Sequence, residues 1–295
     1  MSDFDIKLKE KTQYVEDIIY RFLPEEDNKQ GIICEAMNYS VKAGGKRLRP
    51  MLMLETFKMF SDNEEIVYPL MSAIEFIHTY SLVHDDLPAM DNDKYRRGQL
   101  TTHAKYGEGL GVLAGDGLLN YAYETALSGI EDDSNAYLIA KAIKVLGTKA
   151  GIWGMVGGQT VDVISENKKI DIETINYIHK LKTAALIEAS MMIGAILGGA
   201  SQDKVDRIEQ IANNIGIAFQ IQDDILDVTG DEAVLGKPVL SDEKNNKTTY
   251  ITLIGLEESQ KTVEKLSNEA IEELKALGSG EFLIQLVNKL INRDR

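Results

Sequence analysis

The sequence predicts an all-α protein, and three observations carry that expectation. Prolines are few: five in 295 residues, against a usual share of about 5%. Apolar residues recur at threes and fours, the period of a helix face. Sustained period-two alternation, the mark of a half-buried strand, is scarce. About ten or more helices fit this length.

Taken in order, the elements have recognisable signals. Pro50 can open a helix over Met51–Phe60, because its missing N–H is no loss in the first turn. Val67, Leu70, Met71, Ile74, Ile77 and Leu82 give the next helix one apolar face. Pro88 should end it near Asp85–Asp86 and kink the chain so that Asp91 returns toward Asp85. Asp171 can cap a helix over Ile172–Leu197. Val205, Ile208, Ile211, Ala212, Ile215 and Phe219 line a later one. Gly157-Gly158-Gln159 reads as close helix packing. Gly230 to Asn246 is polar, Gly/Pro-punctuated and reads as a long loop. No Gly/Ser/Pro-rich linker or repeat divides the chain, so residues 1–295 are expected to form one domain.

Charge narrows the function. With 32 Lys+Arg against 47 Asp+Glu the formal net charge is −15, which argues against a general nucleic-acid binder. The single cysteine, Cys34, cannot make an internal disulfide, which fits a reducing compartment. The N-terminus lacks an apolar signal core. Ala184–Ala200, interrupted by Glu188, is too short to span a bilayer. The expectation is an acidic, soluble, cytoplasmic protein with no membrane span.

Two aspartate clusters carry the chemistry. The first is Asp85-Asp86-Leu-Pro-Ala-Met-Asp91, followed by Asp93; the second is Asp223-Asp224-Ile-Leu-Asp227. At about 100° per residue, Asp223, Asp224, Asp227 and Gln220 share one arc of a helix. One such cluster alone is ordinarily a solvated acidic face. Two of them, both beside apolar helical runs, point to a hard cation such as Mg²⁺.

Basic residues stand out against this background. Lys46, Arg47 and Arg49 precede a helix start, where free N–H groups favour an anion. Arg96-Arg97-Gly98 follows the first aspartate cluster. Carboxylates for a metal beside Arg forks for phosphate oxygens suit a metal–diphosphate assembly. Lys182-Thr183 lies mid-helix, and Lys237 and Lys247 bracket the long loop. His78 sits about two turns before Asp85 on nearly the same face.

The segments GGKRLRP (44–50), DDLPAMD (85–91), RRG (96–98), GGQTVD (157–162), KT (182–183), FQIQDDILD (219–227), GK (236–237) and KTTY (247–250), in this order, resemble the trans-isoprenyl diphosphate synthases. The four-residue spacer in the first Asp motif is similar to bacterial farnesyl and plant-type geranylgeranyl synthases. Gln99-Leu100-Thr101-Thr102 and KTTY depart conservatively from the commoner pattern.

The resemblance implies a helical bundle around a central cavity, usually a homodimer. Asp85 and Asp91 would hold a pair of Mg²⁺ ions with Asp86 assisting. Asp223, supported by Asp224 and Asp227, would hold another, making about three per active site. Arg96, Lys182, Lys237 and Lys247 would carry the allylic diphosphate. Lys46, Arg49, His78 and Arg97 would bind isopentenyl diphosphate. Thr183 and Gln220 would aim oxygen dipoles at an allylic cation. Tyr80 and Ser81, just before the first Asp motif, would limit product length, and Tyr80 resembles the residue found in farnesyl synthases. The implied reaction condenses isopentenyl diphosphate with dimethylallyl or geranyl diphosphate to give farnesyl diphosphate. A geranylgeranyl synthase and a non-catalytic subunit of a heteromeric synthase are the alternatives.

Overall fold

The computed structural model describes residues 2–130, 132–229, 248–278 and 280–291. It is all-α, as the spacing predicts, and the only strands among the described residues form one short hairpin. The expected loop over Gly230–Asn246, and with it Lys237 and Lys247, lies outside the described residues. The chain folds as two compact units, Met1–Leu54 with Asp62–Ile143, and Glu55–Ser61 with Lys144–Arg295.

In the first unit, α1 (Asp3–Arg21) and α2 (Gly31–Lys42) pack against α4 (Tyr68–Asp85), and α4 packs along α6 (Glu108–Leu127). α5 (Thr102–Tyr106) docks on α2 and α6. The α4 face predicted from spacing is core: Leu70, Met71, Ile74 and Ile77 are fully buried. Each such side chain stabilises the fold by about 1.5–3 kcal/mol relative to exposure. α3 runs over Leu48–Phe57, two to three residues earlier than predicted. Pro50 sits inside its first turn, where no intrahelical donor is required of it.

Among the described residues one helical stretch, Glu64–Asp85, is long and apolar enough to cross a membrane by length and composition alone. It is not the Ala184–Ala200 run that the sequence brings to notice. Buried residues make up 72% of its most apolar window, the property of a core helix.

In the second unit, α8 (Met155–Ser165), α9 (Ile172–Ile178), α10 (Ala185–Leu197) and α11 (Gln202–Thr229) surround a widened turn at His179–Ala184. α12 (Tyr250–Ile254), α13 (Leu256–Ala276) and α14 (Glu281–Ile291) pack on or beside α11. α7 (Asp133–Ala150) is shared in sequence between the units. Asp171 caps α9 as predicted, its carboxylate accepting from the Thr174 N–H at 2.9 Å. The single helix predicted over Ile172–Leu197 is instead broken by one π-helical stretch. Such bulges widen the hydrogen-bond loop to i→i+5 and frequently mark functional sites.

Candidate active site

The first acidic cluster lies where α4 stops. Asp85 is its last residue and Asp86 its C-cap. The chain then turns back: the Asp91 N–H donates to the Asp85 carbonyl at 2.9 Å, and Met90 and Asn92 donate to the Leu87 carbonyl. The predicted kink is therefore present, closed by the main chain rather than by carboxylates. Asp85 is half-buried and Asp91 exposed.

Asp86 behaves differently from its neighbours. It is buried, and its carboxylate accepts from Arg96 Nε at 2.8 and 3.1 Å and from Nη2 at 2.6 Å. Forked guanidinium–carboxylate pairing of this kind is among the stronger hydrogen-bond arrangements. The sequence suggests a metal role for Asp86 and a diphosphate role for Arg96; the fold joins them to each other.

Arg96 belongs to a two-residue hairpin, β1 (Tyr95–Arg96) with β2 (Gln99–Leu100), in antiparallel register. Its turn is Arg97-Gly98, with φ of 53° and 77°. Two positive φ values in succession are what a type I′ hairpin demands, which is why Gly follows the Arg pair. Arg97 tolerates this conformation at a cost, and strain of that kind gathers at functional sites. Its guanidinium donates to the Gly44 carbonyl. Gly45 has a φ of 147°, a conformation that other residues adopt only with strain, and the Arg97 guanidinium lies 2.7 Å from where its Cβ would be.

Arg47 and Arg49, two residues apart, have opposite circumstances. Arg47 is buried and fully engaged: Nη1 donates to Glu75 at 2.7 Å, Nε to Glu16 at 3.0 Å and Nη2 to the Val41 carbonyl at 2.7 Å. Arg49 has a buried Nε with no hydrogen-bond partner. Desolvation pulls its pKa down to about 10, partly offset by Glu75 and reinforced by Arg97. His78 is held well below the ordinary histidine range by desolvation and by the guanidiniums of Arg49, Arg97, Arg96 and Arg47. It is therefore neutral at pH 7. A small cleft beside this group is lined by Glu75, His78, Asp86, Arg96 and Arg97 among others. Crowded guanidiniums and a buried donor without a partner call for a compensating acceptor, and an anion would be one. Lys46 is exposed.

Tyr80 is buried one turn before His84, at 5.9 Å between ring centroids. Burial pushes its pKa up to about 12, with Tyr123 and Asp85 adding to the shift. The Ser81 hydroxyl donates to the His78 carbonyl at 2.9 Å.

The second unit holds a cleft of about 280 Å³, lined by Lys182, Thr183, Gln220, Asp223 and Asp224 together with Asp162 and His179. Five residues singled out from the sequence thus meet at one surface. Lys182 Nζ donates to Asp162 at 2.5 Å, and the Thr183 hydroxyl donates to Gln220 Oε1 at 2.8 Å. Asp224 is buried and accepts from the Tyr250 N–H at 3.0 Å. Asp227 is buried and lies outside the cleft lining.

Gly158 shows how the GGQTVD segment works. A Cβ there would lie 2.2 Å from the Lys182 main-chain nitrogen, so α8 packs directly against the widened turn. The close-packing reading of that segment holds. Gly158→Ala is expected to destabilise the protein by about 1–3 kcal/mol through overpacking. A urea midpoint equal to the native one would show that the contact relaxes freely.

Glu75 is not singled out by the sequence, while Asp162, inside the GGQTVD segment, and His179 carry only weak signals there; the fold gives all three partners. Glu75 lies one helical turn before His78, and Asp162 closes the GGQTVD segment. His179 precedes Lys182-Thr183 by one turn.

The carboxylates suit Mg²⁺ by chemistry. Among the described residues no three Asp, Glu, His or Cys side chains converge into a ready-made cage. Mg²⁺ rarely uses one, being held by one or two carboxylates plus substrate phosphates and water. Asp85 with Asp91, joined through their backbones, and Asp223 beside Asp224 meet that requirement.

Carboxylates that suit a hard cation, beside crowded guanidiniums in an all-helical fold, fit the handling of charged phosphate esters. Comparison with known proteins makes this specific. The polyprenyl synthetase family pattern matches residues 30–281. The chain is 43% identical over 289 residues to a geranylgeranyl diphosphate synthase from Cyanophora paradoxa, covering 97% of this chain and 95% of that one. It is also 43% identical over 250 residues to a farnesyl diphosphate synthase from Geobacillus stearothermophilus, covering 84% of each. A Helicobacter pylori geranyltransferase, solved with magnesium and isoprenyl diphosphate, superposes with a TM-score of 0.83 at 31% identity, covering 99% of this chain and 97% of that one. The chain belongs to the polyprenyl synthetase family, the trans-prenyl diphosphate synthases. It is a prenyltransferase-class protein of isoprenoid biosynthesis.

Proposed function

We propose that the protein condenses isopentenyl diphosphate with dimethylallyl and then geranyl diphosphate to make farnesyl diphosphate. The observation that carries the isopentenyl half is Arg49, a desolvated guanidinium whose Nε has no partner, beside Arg97 and neutral His78. A diphosphate would supply the missing acceptor, with Lys46 as a further cation. Neutral His78 can donate to an anion without adding a fourth positive charge.

For the allylic substrate, Asp85 and Asp91, and Asp223 with Asp224, would supply carboxylate oxygens to Mg²⁺. Bound there, Mg²⁺ would neutralise charge building up on the departing diphosphate. Each within its own unit, Asp86 would aim Arg96 and Asp162 would aim Lys182 as cations for diphosphate oxygens. Lys237 and Lys247 are proposed partners by family resemblance alone. The allylic carbon–oxygen bond breaks, and the double bond of isopentenyl diphosphate closes a new carbon–carbon bond. A proton then leaves to the released diphosphate, so no side-chain base is required. Thr183 and Gln220 would offer oxygen dipoles to the allylic cation, while the apolar helix faces keep water away.

The family match spans parts of both compact units, which supports one catalytic domain over 1–295. A homodimer is proposed from the family resemblance alone.

Tyr80, bulky and buried, supports a fifteen-carbon stop. The likeness to a geranylgeranyl synthase over 97% of the chain supports a second reading, a twenty-carbon product. Purified protein supplied with isopentenyl diphosphate, Mg²⁺ and each allylic primer decides between them by product chromatography. A main product of twenty carbons selects the second reading, and no consumption of any primer overturns both. Tyr80→Ala is expected to lengthen the main product by at least one isoprene unit. An unchanged profile removes Tyr80 from the account of length.

A further inference from the structure

The second acidic cluster is braced by a residue outside it. His179 is buried at the start of the widened turn. Its Nε2 lies 3.7 Å from Asp224 Oδ2, and its ring stacks on Tyr250 with centroids 6.0 Å apart and planes 28° from parallel. The same Oδ2 accepts the Tyr250 N–H at 3.0 Å. Three segments distant in sequence, at 179, 224 and 250, thus close on one carboxylate oxygen. That oxygen has the Tyr250 N–H as a hydrogen-bond donor on one side and the His179 ring nitrogen packed near it, beyond hydrogen-bond reach, on the other, and its carboxylate lines the cleft.

The brace also seats the end of the cleft wall. α12 has five residues, far fewer than the roughly 12–15 an isolated helix needs to be even marginal in water. Thr249 caps it through the Thr252 N–H, and Asp224 takes its first N–H. Thr248 and Thr249, immediately before it, line the cleft. The His179–Tyr250 stack adds a side-chain contact to these two main-chain hydrogen bonds.

We propose that His179 is a positioning residue that holds Asp224 and the Thr248–Tyr250 segment in the geometry that receives the allylic diphosphate with its cation. The proposal rests on the reading of this cleft given under the proposed function. Outer contacts of this kind orient the groups that meet the ligand, and losing one typically weakens metal affinity about 10–100-fold.

The test compares His179→Phe, which keeps a ring to stack but loses the nitrogen, with His179→Gln, which restores a donor without the ring. Tyr250→Leu removes the stack from the other side. Each is measured for melting temperature without ligand and for binding of an unreactive allylic thiolodiphosphate with Mg²⁺ by calorimetry. KM is then determined for the allylic and isopentenyl substrates separately. The His179→Phe protein should melt near the native temperature, bind the analogue about 10-fold more weakly and show a matching rise in allylic KM. Its isopentenyl KM should stay native. His179→Gln should recover part of the loss, and Tyr250→Leu should reproduce it. Native analogue affinity in His179→Phe overturns the proposal. So does a loss spread equally over both substrates and tracking the melting temperature across the three variants. Native protein that forms no prenyl product would sink the proposed function itself; active native protein with an indifferent His179→Phe variant sinks only the role of His179.

Discussion

Asp85→Ala is expected to lower kcat/KM by about 100–1,000-fold, the usual cost of removing one preorganised group that stabilises charge in a transition state. Its distinctive companion is a melting temperature close to native, since the repulsion relieved among the aspartates is offset by the attraction lost to Arg96. Asp85 stands among Asp86, Asp91 and Asp93, and deleting one of several like charges relieves repulsion. The main chain that returns Asp91 to this place bonds to the Asp85 carbonyl, which alanine retains. Under the proposed function, activity would fall because a cation ligand is lost, not because the turn has opened. Asp223→Ala is expected to behave alike, since Asp223 is half-buried and lines its cleft on a long regular helix. Steady-state kinetics beside a thermal melt checks both, and near-native turnover in either variant would remove that carboxylate from the proposed mechanism.

The second large effect separates two arginines of one motif. Arg47→Met is expected to destabilise the protein by about 3–5 kcal/mol, because it leaves Glu75 buried beside Glu16 without their shared cation. The ion pair at 2.7 Å has both side chains nearly inaccessible, at 1% and 4%, so water cannot replace it. Arg49→Met should leave the urea midpoint at or above the native value, since it deletes a desolvated charge and an orphan donor. Its cost should fall on binding, with the KM for isopentenyl diphosphate up about 10–100-fold, the value of a charged hydrogen bond of about 1.5–3 kcal/mol. Equal effects of the two substitutions on stability would contradict the assignment. Chemical denaturation and substrate-resolved kinetics on the same two preparations provide the comparison.

The sequence is most legible where the cause is local. The apolar face of α4, the Asp171 cap and the break at Pro88 follow from spacing, a side-chain acceptor and a missing N–H, and each stands where expected. The start of α3 departs from expectation because proline is tolerated anywhere in a first turn, so Pro50 does not mark the first residue. Pairings between segments are hidden. Asp86 and Arg96 sit ten positions apart and each looks like an independent ligand-binding residue; only the hairpin turn brings the guanidinium onto the carboxylate. His179 looks like a routine helical histidine because its partners, Asp224 and Tyr250, come from two other helices. The meeting of Lys182, Thr183 and Gln220 needs tertiary packing, whereas the grouping of Gln220 with the aspartates needs only helix geometry.

The stretch His179–Ala184 interrupts an otherwise ordinary helical path from Ile172 to Leu197. A turn that contains one surplus residue acts as a phase shifter: everything beyond it is rotated by about 100° from where an unbroken helix would carry it. Excising a single position there would leave α9 and α10 helical and shorten the chain by about 1.5 Å. The same excision would swing the Thr183 hydroxyl away from Gln220 and leave Gly158 facing a different stretch of backbone. The register of this one turn therefore sets which side chains face the cleft.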